Sequence, residues 1–106
     1  MSEVKVLNTE EFKALVSSNK DKVMVVEFFA SWCNPCKMLA PVLEDFAAKH
    51  KDVGVYKLDV DENSKLSDDL DIHSVPTLLF YKGGQIVKQV MGFQPLASIE
   101  KIVELI

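Results

Sequence analysis

Two hydrophobic patterns alternate along the chain. Short apolar runs rich in β-branched and aromatic residues occupy 4–7, 23–30 and 53–60, and the almost continuous run at 23–30 is typical of a central strand covered on both faces. Between these runs, apolar residues recur at the spacing of an amphipathic helix. The alternation of strand and helix patterns predicts an α/β fold.

Helix signals separate the predicted strands. Asn8 and Glu11 match a capping box at the start of a first helix. A second, longer helix is predicted after Cys33, and Pro41 inside its pattern predicts a kink. Because this helix connects the second and third apolar runs, those two strands should be parallel.

The second half of the chain predicts a short helix at 64–70, a hairpin and a closing helix. Gly83 and Gly84 separate two apolar runs, and a tight hairpin turn requires the positive φ that glycine adopts readily. Pro95 suits the first turn of the closing helix. The apolar face of that helix comprises Leu96, Ile99, Ile102, Val103 and Ile106. Together the elements predict a mixed sheet of about five strands with helices on both faces.

Length and composition indicate a single compact domain. The chain has 106 residues, 48% of them hydrophobic, which suffices for one core, and no repeat or linker marks a boundary. We therefore expect residues 1–106 to form one domain that is stable as a monomer. The formal charge of -4, without a stripe of lysine or arginine, argues against a nucleic-acid partner.

The start of the chain carries no targeting pattern. It lacks the basic and apolar regions of a signal peptide, and no apolar run approaches the roughly 20 residues that span a bilayer. We expect a soluble, cytoplasmic protein without a membrane partner. In a reducing compartment, a cysteine pair is more often catalytic, redox-active or metal-binding than structural.

The two cysteines of the chain, Cys33 and Cys36, lie where a predicted strand meets a helix. Residues three apart on a helix have Cβ atoms about 5–6 Å apart, which is compatible with a disulfide. Free N–H groups and the helix dipole favour a thiolate at Cys33, so Cys33 is the expected nucleophile. Cys36, expected to lie one turn deeper and to be less exposed, is the expected resolving thiol.

The neighbours of the pair fit this chemistry. Pro35 fixes its φ and lacks an N–H that the first helical turn would leave unsatisfied, so it stiffens the loop. Trp32 either shields the sulfur and contacts a partner or simply packs. Lys37 either supports the thiolate or is a solvated charge.

Two other interpretations of the pair are weaker. A zinc site needs four ligands, and the two histidines, His50 and His73, are too far apart for the usual spacing. A structural disulfide that closes so short a loop would constrain the unfolded chain little. His73 itself is expected at the surface, near the Pro76 loop, and not as a catalytic base.

Four segments are together similar to the thioredoxin family: FFASWCNPCKMLAP at 28–41, YKLDVDEN at 56–63, SVPTLLFYKGG at 74–84 and GF at 92–93. A C-x-x-C motif alone is a moderate signal, but the preceding tryptophan, the enclosed proline and the later VPT make the combination specific. The resemblance covers nearly the whole chain. It implies the thioredoxin fold and a thiol-disulfide oxidoreductase that reduces protein disulfides.

The resemblance also implies the partners and cofactors. Disulfide-containing proteins would be the substrates, and a separate thioredoxin reductase would recharge the protein, because the chain has no dinucleotide fingerprint. No cofactor or metal is expected beyond the redox-active disulfide Cys33–Cys36. An oxidase or isomerase is an alternative that would need a strongly stabilised thiolate at Cys33, and the lack of an export signal argues against it.

The same resemblance assigns the substrate surface to Trp32, Val75, Pro76, Gly92 and Phe93. It implies a cis Pro76 that faces the cysteines, and a Val75 backbone that pairs with an extended substrate by strand addition. The residues alone indicate only that Val75 is extended before the proline. From a different class of function, a binding module could use this surface with its redox chemistry incidental.

Glu27 is an acid in the middle of the central apolar run, so burial should raise its pKa. Members of the family have an acid here, usually Asp, that helps to deprotonate the resolving cysteine, and Lys57 matches a neighbouring lysine. We therefore interpret Glu27 as a proton acceptor, with an acid at an edge position that reaches solvent as the alternative.

The chain departs from the family in the active-site loop. Asn34-Pro35 replaces the common Gly-Pro, and Phe29 stands where many members have a second tryptophan. The dipeptide between the cysteines tunes the stability of the thiolate and thereby the redox potential.

Overall fold

The computed structural model describes residues 3–106. In chain order its elements are β1 (Val4–Val6), α1 (Thr9–Ser18), β2 (Val23–Phe29), α2 (Asn34–Lys49), β3 (Gly54–Asp59), α3 (Ser64–Asp69), β4 (Thr77–Lys82), β5 (Gln85–Met91) and α4 (Leu96–Leu105). Every strand and helix that the hydrophobic pattern predicts is present. None of the helices within 3–106 is both long and apolar enough to cross a bilayer.

The strands form a mixed sheet in the order β1-β3-β2-β4-β5. β3 is parallel to both β1 and β2, whereas β4 is antiparallel to both β2 and β5. The parallel pairing of β2 and β3 through α2 confirms the predicted crossover. β2 therefore lies inside the sheet, as its continuous apolar run predicts.

Helices cover both faces of the sheet, as predicted. On one face, α2 and α4 pack against a core that includes Val25 and Phe80. On the other face, residues of α1 and α3 pack against a core that includes Val26 and Phe28. Successive side chains of β2 point to opposite faces, so one strand supplies both cores. Each fully buried side chain of this size contributes about 1.5–3 kcal/mol.

The structure also confirms the capping box and the hairpin turn that the sequence predicts. Asn8 and Glu11 form the predicted capping box, each side chain accepting the other residue's backbone N–H at 2.9 Å. Gly83 and Gly84 have φ values of 65° and 78°, as the hairpin between β4 and β5 requires. α2 continues through Pro41, and the kink there stays a prediction.

The placement of Pro95 in the first helical turn is wrong by one residue. Pro95 is the N-cap of α4, with an extended ψ of 161°, and Leu96 is the first helical residue. The carbonyl of Pro95 still accepts the N–H groups of Ser98 and Ile99. An N-cap residue keeps a non-helical backbone while its carbonyl accepts the first helical hydrogen bond, so proline is also compatible with this position.

Candidate active site

The cysteine pair lies at the carboxyl end of β2, where the chain turns into α2. Cys33 is the N-cap of α2 and has an extended backbone, with φ -93° and ψ 111°. Its Sγ accepts the backbone N–H of Cys36 at 3.2 Å. The two cysteines form a disulfide, with their Cα atoms 5.3 Å apart. The predicted position of Cys33 at the helix N-terminus is confirmed.

This position has an electrostatic consequence for Cys33. In the first turn of α2, N–H groups lack partners within the helix, and the positive end of the helix dipole lies nearby. A sulfur that occupies the N-cap position accepts one of those N–H groups in place of the usual oxygen. Both effects stabilise a thiolate more than a thiol, and they act most strongly at Cys33.

Cys36 is not the less exposed of the two residues, contrary to the expectation from sequence. The exposed fractions are 4% for Cys33 and 5% for Cys36. Both cysteines belong to an apolar cluster with Ala30, against which Val60 and Val75 pack. Residues from other parts of the chain thus cover the start of α2, and the N-cap position distinguishes Cys33 from Cys36 better than burial does.

The segment before β4 completes the surface around the disulfide. The Val75–Pro76 peptide bond is cis, as the family resemblance implies. The N–H of Gly92 donates to the carbonyl of Pro76 at 2.8 Å, and the Thr77 hydroxyl donates to the carbonyl of Ser74 at 2.7 Å. The structure therefore brings Val75, Pro76 and Gly92 together, and Val75 packs against the apolar cluster of the two cysteines. Phe93 follows Gly92 and is exposed.

Trp32 lies on the surface next to Cys33, with 67% of the residue exposed. Its Nε1 donates to Asp61 Oδ2 at 2.9 Å, which holds the indole against the loop after β3. The indole therefore does not pack in the core, and contact of Trp32 with a partner stays a prediction.

Trp32 also lines a groove, here called the Trp32 groove, of about 160 Å³. Its other lining residues are Val60, Ile72, His73, Ser74 and Val75. The contact between Asp61 and Trp32 was not predicted from the sequence. The available signal was the place of Asp61 in an acidic segment directly after a parallel strand, since functional residues often follow the carboxyl ends of such strands.

Glu27 is buried in the centre of the sheet, with 1% of the residue exposed. On β2 it lies in register with Lys57 on β3 and Leu78 on β4. Burial raises the pKa of Glu27 from its ordinary 4.5 to about 7, and the charge of Lys57 opposes that rise. The prediction of a buried acid is confirmed, and the alternative of an edge position that reaches solvent is wrong.

A small cavity of about 140 Å³ lies between Glu27 and Cys36. It is bordered by Glu27, Cys36, Lys37 and Lys57, among others. Glu27 Oε2 has no hydrogen-bond partner within residues 3–106. Lys57 Nζ lies over the ring of Phe29 at 5.0 Å from its centroid, so Phe29 helps to position the ammonium group.

The remaining candidates lie at the surface. Asn34 and Pro35 are the first two residues of α2 and are exposed, as is Lys37. His73 is exposed, and its Nε2 lies 3.7 Å from Asp71 Oδ1. His50 is half-buried, in contrast, and contacts Glu100 Oε2 at 2.7 Å. Residues 3–106 contain no cluster of three or more potential metal ligands.

An N-cap cysteine disulfide-bonded to the residue three positions further on, at the carboxyl end of a parallel strand, defines a thiol-disulfide oxidoreductase. Residues 3–105 match the family model named Thioredoxin. The chain belongs to the thioredoxin family. It reduces protein disulfides by dithiol-disulfide exchange through Cys33 and Cys36, and a separate reductase regenerates the dithiol.

Individual relatives support this assignment. Thioredoxin-2 of Saccharomyces cerevisiae is 48% identical over 95 residues, which cover 90% of this chain and 90% of the relative. A thioredoxin of Staphylococcus aureus is 42% identical over 98% of this chain and 97% of the relative.

Solved structures agree with the sequence relatives. Chloroplastic thioredoxin z superposes with a TM-score of 0.90 at 36% identity, over 99% of this chain and 94% of that one. A thioredoxin from Nicotiana alata gives a TM-score of 0.90 at 35% identity, over 97% and 92%.

Proposed function

We propose that Cys33 is the attacking nucleophile and Cys36 the resolving thiol of a protein-disulfide reductase. The observation that carries this assignment is the hydrogen bond from the Cys36 N–H to Cys33 Sγ at the N-terminus of α2. In the reduced protein, the same N–H and the helix dipole would stabilise the Cys33 thiolate.

The exchange takes place in two steps. The Cys33 thiolate attacks one sulfur of the substrate disulfide; the substrate S–S bond breaks, and its other sulfur leaves as a thiolate that takes up a proton. The Cys36 thiolate then attacks Cys33 Sγ, which breaks the mixed disulfide and releases the second substrate thiolate. The substrate gains two electrons and two protons, and Cys33–Cys36 becomes the disulfide.

Glu27 supplies the base for the second step in this proposal. Its carboxyl and Cys36 border the same cavity, which has room for water that relays a proton between them. With its pKa raised to about 7, the carboxyl is partly ionised near neutral pH and can accept the Cys36 proton. Lys57 is a positioning residue whose charge limits that rise.

Substrate recognition involves the surface formed by Trp32, Val75, Pro76, Gly92 and Phe93. Within residues 3–106, the backbone N–H and C=O of Val75 form no hydrogen bond. Both groups are therefore available to an extended substrate segment by strand addition. The disulfide itself carries the electrons, and no further cofactor is part of the proposal.

The proposal also covers the domain organisation, the oligomeric state and the cellular compartment. We infer a single thioredoxin domain over residues 1–106, active as a monomer in the cytoplasm and recharged by thioredoxin reductase. A mitochondrial thioredoxin of Saccharomyces cerevisiae is among the structural relatives, which makes mitochondria the alternative compartment.

The test traps the intermediate. We expect Cys36→Ser to accumulate a mixed disulfide between Cys33 and a disulfide-containing protein, detected as a covalent adduct by mass spectrometry. Cys33→Ser should form no adduct with the same protein. An adduct through Cys36 in Cys33→Ser, with none in Cys36→Ser, would reverse the two roles. Full cellular activity of a Cys33→Ser, Cys36→Ser double variant would favour a binding module instead.

A further inference from the structure

The Trp32 groove carries carboxylates on its rim. Asp61 Oδ2 accepts the Nε1 hydrogen of Trp32 at 2.9 Å, and Asp71 Oδ1 lies 3.7 Å from His73 Nε2. Trp32 and His73 both line the groove. A hydrogen bond therefore holds the Asp61 carboxylate beside the groove, and the Asp71 carboxylate lies close to the lining residue His73.

Further carboxylates lie close to Asp61. Asp59 lies next to Asp61 and its Oδ1 accepts the backbone N–H groups of Asp61 and Glu62 at 2.8 and 3.4 Å. The groove lining within residues 3–106 includes no lysine or arginine. The groove thus combines an apolar floor with an acidic rim.

The other side of the disulfide differs. The cavity between Glu27 and Cys36 is bordered by Lys37 and Lys57. A substrate that approaches the cysteine pair therefore meets carboxylates beside Trp32 and ammonium groups beside Cys36. Such an asymmetry discriminates among substrates by charge and orientation.

The groove also lies close to the reacting sulfurs. Val60 and Val75 line it, and both pack against the apolar cluster of Cys33 and Cys36. A substrate side chain one or two residues from the attacked cysteine can therefore reach the groove, because each extended residue spans about 3.3 Å.

We propose that the Trp32 groove selects disulfide substrates that carry a lysine or arginine beside the attacked cysteine. The methylene stem of that residue would lie on Trp32 and Val60, and its charged end would reach Asp61 and Asp71. The indole face adds an attraction for the cation. This inference rests on the proposed function, since it assumes attack by Cys33 next to the groove.

The test uses three synthetic peptides, each with one disulfide, that differ only in the residues flanking the cysteines: lysine, glutamine or glutamate. The second-order rate constant for their reduction by the reduced protein is measured at low and high salt. We expect the lysine peptide to react about tenfold faster than the glutamate peptide at low salt, and salt to reduce the ratio.

Because the whole chain is acidic, matched variants must distinguish an effect of the groove on the rate constants from an effect of the net charge. Asp61→Asn, Asp71→Asn keeps an acceptor for Trp32, and Asn tolerates the positive φ of 57° at residue 71. The control, Asp45→Asn, Asp52→Asn, removes the same charge from exposed positions in α2 and in the segment that follows it. We expect the lysine-to-glutamate ratio to fall at least threefold in the groove variant only.

Two outcomes overturn the inference alone. One is a ratio near one in the parent protein although the glutamine peptide is reduced, and the other is an equal fall in both variants, which would show an effect of net charge only. Failure to reduce the glutamine peptide would instead overturn the proposed function, and the inference with it.

Discussion

Glu27 on β2 lies in register with Lys57 on the neighbouring strand β3, and both residues border the cavity that reaches Cys36. The attraction between them does not offset burial, because the pKa of Glu27 is still raised to about 7. The carboxyl group of Glu27 therefore changes its protonation state near neutral pH, and it borders the same cavity as the Cys36 thiol, which must lose a proton.

The first prediction concerns stability. The pKa of Glu27 is 4.5 when unfolded and about 7 in the folded protein, so the folded state binds more protons between these values. Stability therefore falls as pH rises from about 4.5 through 7, by roughly 3 kcal/mol from this group. Glutamine cannot ionise, so the free energy of unfolding of Glu27→Gln should not show this fall. We therefore expect the variant to become more stable relative to the parent as pH rises.

Denaturant unfolding of the oxidised protein at pH 4 and pH 8 measures the effect. Glu104→Gln, at an exposed position in α4, is the matched control and should show no such change with pH. A stability difference between Glu27→Gln and the parent that is the same at both pH values would contradict the raised pKa.

The second prediction concerns the release of substrate. If Glu27 accepts the Cys36 proton, Glu27→Gln should slow resolution of the mixed disulfide by at least tenfold and remove its pH dependence near 7. Single-turnover kinetics of product release over pH 5–9 would measure this. The initial attack by Cys33, followed in the Cys36→Ser background, should change little. Identical pH profiles for release in both proteins would exclude Glu27 from the mechanism.

Local signals predicted most of the fold. The continuous apolar run of β2, the capping box at Asn8 and the glycine pair at the hairpin each depend on residues close in sequence, so the pattern was sufficient. The burial of Glu27 followed from the same run, because an acid inside a central strand has no route to solvent.

Contacts between segments that are distant in sequence could not be predicted from the hydrophobic pattern. Trp32 and Asp61 are 29 residues apart, and their hydrogen bond depends on how the loops after β2 and β3 meet. The equal burial of Cys33 and Cys36 likewise depends on Val60 and Val75, which arrive from other elements. The cis bond at Pro76 came from the family resemblance, since most X-Pro bonds are trans.

The third prediction concerns Gly92. Its φ is 88°, a region that disfavours L side chains, although a Cβ there would meet no atom within 4 Å. Gly92→Ala should therefore cost about 1–2 kcal/mol through backbone strain alone, and Gly92→Asn should cost less. Relief of that strain would shift the backbone N–H that donates to the Pro76 carbonyl, so we also expect Gly92→Ala to raise KM for a protein disulfide. Equal stability of Gly92→Ala and the parent would contradict this account.

The last prediction is the midpoint potential of the Cys33–Cys36 couple. A strong oxidant requires a highly stabilised thiolate, whereas Cys33 Sγ accepts one backbone N–H within residues 3–106. Since the chain belongs to the thioredoxin family, we expect the potential known for thioredoxins, about -270 mV. Thiol trapping across defined thiol-disulfide buffers would measure it, with Asn34→Gly as the variant that restores the common family dipeptide. A potential of about -120 mV would identify an oxidant and contradict reduction of protein disulfides as the activity.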